Sequence, residues 1–283
     1  MIFVSTGGYK NNYPSKTVEF LYNNGIKNIE LSGGLFEYDL LKKLIKLKGK
    51  INFQIHNYFP PPKVPFVLNL ASIDTEIAKQ TIKHIKTAIN WSIELDRPIY
   101  SFHAGFLVDP KPKELGKKIS KRKVNKRENG LSLFIERVCD LADYAKMEGA
   151  QLLIENNVLS KQNYEEFNCN PLLMVDPDEC HFVMENTPKN VNMLLDVAHL
   201  KVSSKSLDFD RNKIFDFCNQ WIKAYHFSDN DGKVDSNKKF DVEPWFKKNI
   251  KRNLDYYSIE IYNEPIDIIK KQKYILEKII NFV

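Results

Sequence analysis

Short apolar runs alternate with longer amphipathic stretches along the whole chain, the pattern of repeated βα units around a parallel sheet. The runs at 2–5, 28–31, 51–56, 99–103, 151–155, 192–196, 222–226 and 256–260 are rich in Ile, Val, Leu, Phe and Tyr and predict eight strands. Between them, one face recurs at spacings of three and four. In 74–95 that face is Ile77, Thr81, Ile85, Ala88, Ile89 and Ile93. Helices are predicted at 14–24, with Gly25 as its stop, and at 37–48, 74–95, 129–148, 177–186, 210–220, 245–251 and 265–280. This succession leaves no spare segment for a second domain, so the expectation is a single (β/α)8 TIM barrel spanning 1–283. Two connections are unusually long. The one after the third strand carries Pro60, Pro61 and Pro62, which forbid helix and central strand. The other is a basic loop at about 105–128, expected to be a mobile cover over the barrel mouth or a helix-rich excursion.

Composition narrows the class. With 43% hydrophobic and 12% aromatic residues, the chain has the material for one large core and is not a disordered polymer. The net charge of +6 comes mostly from Lys scattered among acidic residues, which reads as a solvated surface apart from the run Lys117 to Lys123. That run could grip a nucleic-acid backbone or a sugar phosphate. Cys139, Cys169, Cys180 and Cys218 show no C-x-x-C spacing and are expected to be reduced thiols. No run is long and apolar enough to span a bilayer, and the first apolar run is too short for a signal peptide. The expectation is a cytoplasmic protein without a membrane partner.

Candidate chemistry gathers at the ends of the predicted strands. From the third onward they end in His56, His103, Glu155, Asp196 followed by His199, His226 and Glu260. Active sites of (β/α)8 barrels lie at the carboxyl ends of the strands. Carboxylate and imidazole together suit Mn²⁺, Zn²⁺, Co²⁺ or Fe²⁺, whereas a structural zinc site would call for thiolates. The stretch 194–200 is expected to open into a loop at Asp196 and so present Asp196 and His199 together.

The segments Ile154-Glu155-Asn156-Asn157, Leu195-Asp196-Val197-Ala198-His199, His226-Phe227-Ser228-Asp229-Asn230-Asp231-Gly232 and Ser258-Ile259-Glu260, in this order, resemble the xylose isomerase-like barrel superfamily. That superfamily holds sugar isomerases, ketose 3-epimerases, inosose dehydratases and endonuclease IV-type nucleases. The resemblance implies one divalent metal ion, Mn²⁺ ahead of Zn²⁺, Co²⁺ or Mg²⁺, held by Glu155, Asp196, His226 and Glu260. It implies an isomerase or epimerase in which Glu155 and Glu260 remove and return a carbon-bound proton through a metal-stabilised enediolate. Substrate contacts would come from His199, His56, His103, Lys233 and Asp235. The substrate would be a small-molecule sugar or sugar phosphate, with Tyr58, Phe59, Phe106, Trp245 or Tyr262 stacking on its ring. The oligomeric state is open. Where the epimerases carry an arginine six residues after the metal histidine, this chain has Gly232 followed by Lys233, which implies a different grip.

Two rivals follow from the same residues. In the endonuclease IV-like pattern, a zinc phosphodiesterase acting on abasic DNA, His56, His103 and His199 become further ligands. Its closing D-x-H, however, reads Asp235-Ser236-Asn237, and an amide is a poor substitute for imidazole on zinc. A barrel that binds without catalysis is the third reading, and the two opposed glutamates argue against it.

Overall fold

The computed structural model describes residues 1–254 and 256–281. Eight parallel strands close into a barrel in sequence order: β1 (Ile2–Ser5), β2 (Asn28–Leu31), β3 (Asn52–His56), β4 (Ile99–His103), β5 (Gln151–Glu155), β6 (Val191–Asp196), β7 (Ile222–Phe227) and β8 (Tyr256–Ile259). The surrounding helices are α1 (Pro14–Asn23), α2 (Leu40–Ile45), α3 (Thr75–Glu94), α4 (Arg127–Met147), α5 (Lys161–Phe167), α6 (Pro177–Glu185), α7 (Val197–Leu207), α8 (Lys213–Phe217) and α9 (Ile266–Ile280). The expected single (β/α)8 barrel is therefore the fold. Among the described residues no helix is long and apolar enough to cross a membrane, and the four cysteines are free.

Strand alternation sorts the side chains. Ile29 and Leu31, Phe53 and Ile55, Leu152 and Ile154, and Met193 and Leu195 join the large core beneath the helices. Phe3, Leu153, Leu194, Ala224 and Tyr256 form a separate small apolar cluster filling the barrel. Continuing the inward set toward the carboxyl ends brings polar residues to one layer. The strand register seats His103 beside Glu155 and Asp196 beside His226.

Several expected boundaries shift. The helix predicted at 37–48 shortens to α2, because Asp39 enters it in a left-handed conformation, φ 55°. The helix predicted at 210–220 shortens to α8, and the one at 245–251 reduces to a single 3₁₀ turn, Lys247–Asn249. The expected loop at Asp196 is instead a helix start: β6 runs directly into α7, with Asp196 Oδ1 accepting the His199 N–H at 2.8 Å. An aspartate at this position satisfies a free amide of the first turn, which is why the chain can turn from strand to helix without a loop.

The basic loop is neither helix-rich nor unanchored. Before α4 begins at Arg127, its one helical element is a 3₁₀ turn, Pro112–Glu114. Arg122 reaches both Glu114 oxygens, at 2.6 and 2.7 Å, and donates to the Asp109 carbonyl. Ile119 is buried against Leu159, Phe167 and Val175, and its N–H donates to Asn163 on α5. Leu115, Gly116 and Lys117 are thereby laid along the barrel mouth.

Candidate metal centre

Glu155 stands at the centre of the inward layer with no exposed surface. Its Oε2 lies 3.2 Å from His56 Nε2 and 3.2 Å from His103 Nδ1. Its Oε1 lies 3.2 Å from His226 Nδ1 and 3.7 Å from His199 Nδ1. His226 Nδ1 also faces Glu260 Oε2 at 3.6 Å and Asp196 Oδ2 at 3.9 Å. These approaches lack hydrogen-bond geometry: both Glu155 oxygens, Asp196 Oδ2, His226 Nδ1 and His103 Nδ1 are buried without a partner. Leaving one such group unsatisfied costs about 1–3 kcal/mol, so five gathered in one buried layer call for partners that the side chains around them do not supply. A cation meets that need, because a carboxylate oxygen and an unprotonated imidazole nitrogen each offer it a lone pair. Three overlapping sets have ligand atoms mutually within 4.8 Å: Glu155, Asp196 and His226; His56, His226 and Glu260; His56, His103 and Glu155. The donor set fits a divalent ion of the Mn²⁺ or Zn²⁺ type.

The fold holds each donor from behind. Ser5 on β1 donates to Glu260 Oε1 at 2.9 Å. Asn156 clasps the Asp196 backbone, accepting its N–H at 2.8 Å and donating to its carbonyl at 3.1 Å. The Asn156 carbonyl accepts from His199 Nδ1 at 2.8 Å. A carbonyl can only accept, so His199 Nε2 is the nitrogen turned toward Asp235 Oδ2, at 3.4 Å. His226 Nε2 lies 2.9 Å from Glu30 Oε2, deep in the barrel on β2.

Burial and mutual repulsion separate the carboxylates. Burial pushes the Glu260 carboxyl up to about 8, with Glu30, Glu155 and Asp196 adding to the rise against His226. Burial raises Asp196 to about 6, helped by Glu155 and Asp235. For Glu155 burial also opposes ionisation, but His103, His226 and His56 overcome it and hold the group well below the usual carboxylate range. Burial lowers His56 to about 3 and His103 to about 4, leaving both neutral at physiological pH.

Above this layer opens a cavity of about 830 Å³. Among the four expected metal ligands, Glu260 alone lines it, joined by His56, His103, His199 and Asp235. Tyr58 and Tyr262 form its walls, and Lys10, Lys63 and Lys117 stand among its lining residues. Tyr262 needs a bare wall opposite, since a Cβ on Gly7 would fall 2.2 Å from its hydroxyl. Phe106 lines a smaller adjoining cavity, whereas Phe59 is sealed in the core and Trp245 packs on Arg211 and Phe246. Lys233 is exposed and lines neither cavity. His84 and His181 also stand apart, the first against the Asn57 carbonyl, the second beside Glu185.

The sequence reading missed Glu30, Ser101 and Tyr256. It took only the last residue of each strand from the third onward. The alternation Ile29-Glu30-Leu31 carried the signal, because an acidic residue between two core-facing neighbours must point into the barrel.

The model of the xylose isomerase-like TIM barrel family matches residues 16–269. Among solved structures, a D-tagatose 3-epimerase-like protein superposes with a TM-score of 0.71 at 19% identity, covering 100% of this chain and 97% of the other. D-psicose 3-epimerase from Clostridium cellulolyticum, determined with D-tagatose, gives 0.63 at 12% identity over 99% and 97%. A Thermus thermophilus protein soaked with ZnCl₂ gives 0.64 at 18% identity over 98% of each chain. No curated protein matches significantly in sequence.

Proposed function

Because this chain belongs to the xylose isomerase-like TIM barrel family, we propose that it is a divalent-metal-dependent isomerase or epimerase of a sugar or sugar derivative. One observation carries the reading. Glu155, Asp196 and His226 offer sealed, unpartnered donor atoms, and Glu260 joins them while also facing the cavity. These four residues would hold a divalent ion, which would supply Lewis-acid polarisation of a substrate carbonyl.

The protein's own groups divide the remaining work. Glu260, oriented by Ser5 and facing the cavity, is placed to exchange a proton with the substrate carbon. Glu155 keeps both oxygens against imidazoles, so the shared proton role expected of the two glutamates narrows to Glu260 for direct exchange, with Glu155 as ligand. His56, His103, His199 and Asp235 on the cavity floor would bind substrate hydroxyls. Tyr58 and Tyr262 offer flat walls for the ring, and Lys10, Lys63 and Lys117 would suit a phosphorylated sugar. The test is incubation with Mn²⁺ in D₂O against a panel of ketoses, aldoses and their phosphates. Deuterium should enter at a carbon adjacent to the carbonyl. No incorporation from any member by the metal-loaded protein would count against the assignment.

A second reading, metal-dependent phosphodiester hydrolysis, is favoured by the His56, His103 and Glu155 set, which makes room for another ion sharing Glu155. Asn237 weighs against a third site beside His199 and Asp235. Two zinc ions per chain together with cleavage of an abasic-site duplex would favour this reading over the first.

A further inference from the structure

A chain of buried polar groups runs beneath the metal ligands. Glu30 Oε2 receives His226 Nε2 at 2.9 Å and also the Tyr256 hydroxyl. The Tyr256 oxygen lies 3.3 Å from Ser101 Oγ, and Ser101 Oγ lies 3.0 Å from His56 Nδ1. Glu30, Ser101 and His226 have no exposed surface, Tyr256 is 1% exposed and His56 3%. Water therefore does not set the direction of these bonds; the groups themselves do.

The direction follows from counting hydrogens. The Tyr256 hydroxyl gives its single hydrogen to Glu30 Oε2, and His226 Nε2 faces that same oxygen at 2.9 Å and the Tyr256 oxygen at 3.3 Å, two acceptors that make Nε2 its donating nitrogen. With its hydrogen spent, the Tyr256 oxygen can only accept from Ser101. Ser101, having donated to Tyr256, can then only accept from His56 Nδ1–H. His56 is left with a bare Nε2, and His226, once a cation replaces its second proton, with a bare Nδ1; these are the two nitrogens that face opposite oxygens of Glu155 at 3.2 Å.

We propose that Glu30 is a positioning residue that, through Tyr256 and Ser101, fixes the tautomers of both His226 and His56 and so turns two ligand lone pairs toward the metal centre. The inference rests on the metal reading only for its purpose; the relay itself is a property of the metal-free protein.

The test reads ring protonation directly, by long-range ¹H–¹⁵N spectra of the histidines in the full-length protein, alongside Zn²⁺ titration. In the metal-free wild type, His56 should carry its hydrogen on Nδ1. Tyr256→Phe and Ser101→Ala should each release His56 into a tautomer mixture while leaving the Zn²⁺-bound His226 protonated on Nε2. Glu30→Gln should disturb both rings and weaken Zn²⁺ binding by about 10–100-fold, the range for losing a partner behind a metal ligand. His56 protonated on Nε2 in the wild type, or unchanged in both Tyr256→Phe and Ser101→Ala, would overturn the relay. If the wild type binds no Zn²⁺, the metal reading fails, and the His56 tautomer still decides the relay.

Discussion

Glu155 Oε1 and His226 Nδ1 face each other at 3.2 Å inside the barrel, and neither atom has a hydrogen-bond partner. Such an arrangement is costly without a cation and favourable with one, because a metal binds the folded site and not the unfolded chain. Mn²⁺ or Zn²⁺ at 100 times its Kd should therefore stabilise the protein by about 2.7 kcal/mol. Thermal unfolding with and without EDTA checks this, and an unchanged Tm would contradict it.

Metal affinity should rise with pH. In the metal-free protein Asp196 and Glu260 are raised to about 6 and about 8, so at pH 6 the site must release protons before it can coordinate. As pH climbs through each value that part of the proton cost disappears, while His226, which Glu30, Glu260 and Glu155 hold charged against the effect of burial, still gives up a proton on coordinating, so the affinity should go on rising past 8. Titrations at pH 6, 7, 8 and 9 would reveal the slope; a flat profile would remove protonated Glu260 from the account.

Glu155 and Glu260 should fail differently when made neutral. Glu260→Gln keeps three donors and should retain metal while losing about 10²–10⁴-fold in proton exchange with substrate. Glu155→Gln strips the residue that faces three separate imidazoles at 3.2 Å and should lose metal first. Elemental analysis beside deuterium exchange separates the two outcomes.

Within the basic loop, Arg122 and Glu114 form one clamp beside the anchor of Ile119 on Asn163. Arg122 is the cation on Glu114, whose carboxyl burial would raise but whose bonds to Lys111, Ser120 and Arg122 hold at about 2. The sign follows: this stabilisation is present above the unfolded carboxylate value, about 4.3, and is lost as pH falls toward 2. At neutral pH, Arg122→Ala should cost about 1.5–3 kcal/mol locally, the range for hydrogen bonds to a charged group. Faster trypsin cleavage at Lys117, Lys118 or Lys121, with global Tm little changed, is the expected result.

Gly7→Ala should raise KM more than it lowers Tm. The added methyl group meets the Tyr262 hydroxyl at 2.2 Å and must push that ring into the cavity. Steady-state kinetics on whichever sugar exchanges deuterium, set beside a melting curve, would show the split.

The chain's period alone determined the barrel, because alternating apolar runs and amphipathic stretches can bury both faces of a sheet only by wrapping helices around it. The same logic made the strand-end residues legible: His56, His103, Glu155, Asp196, His226 and Glu260 had to share one face once the strands were parallel. Tertiary structure decided what pattern cannot encode. Which Glu155 oxygen meets which imidazole, and which carboxylate faces the cavity, depend on closure of the barrel between β8 and β1 and on shear between strands far apart in sequence. Glu30 shows the limit most clearly. Its place inside the barrel follows from Ile29 and Leu31 on either side, but its partner His226 lies 196 residues away, and only the closed barrel brings them to 2.9 Å. Lys233 shows the converse, for its place beside a family motif says nothing about the direction the turn after β7 takes, and it ends in solvent.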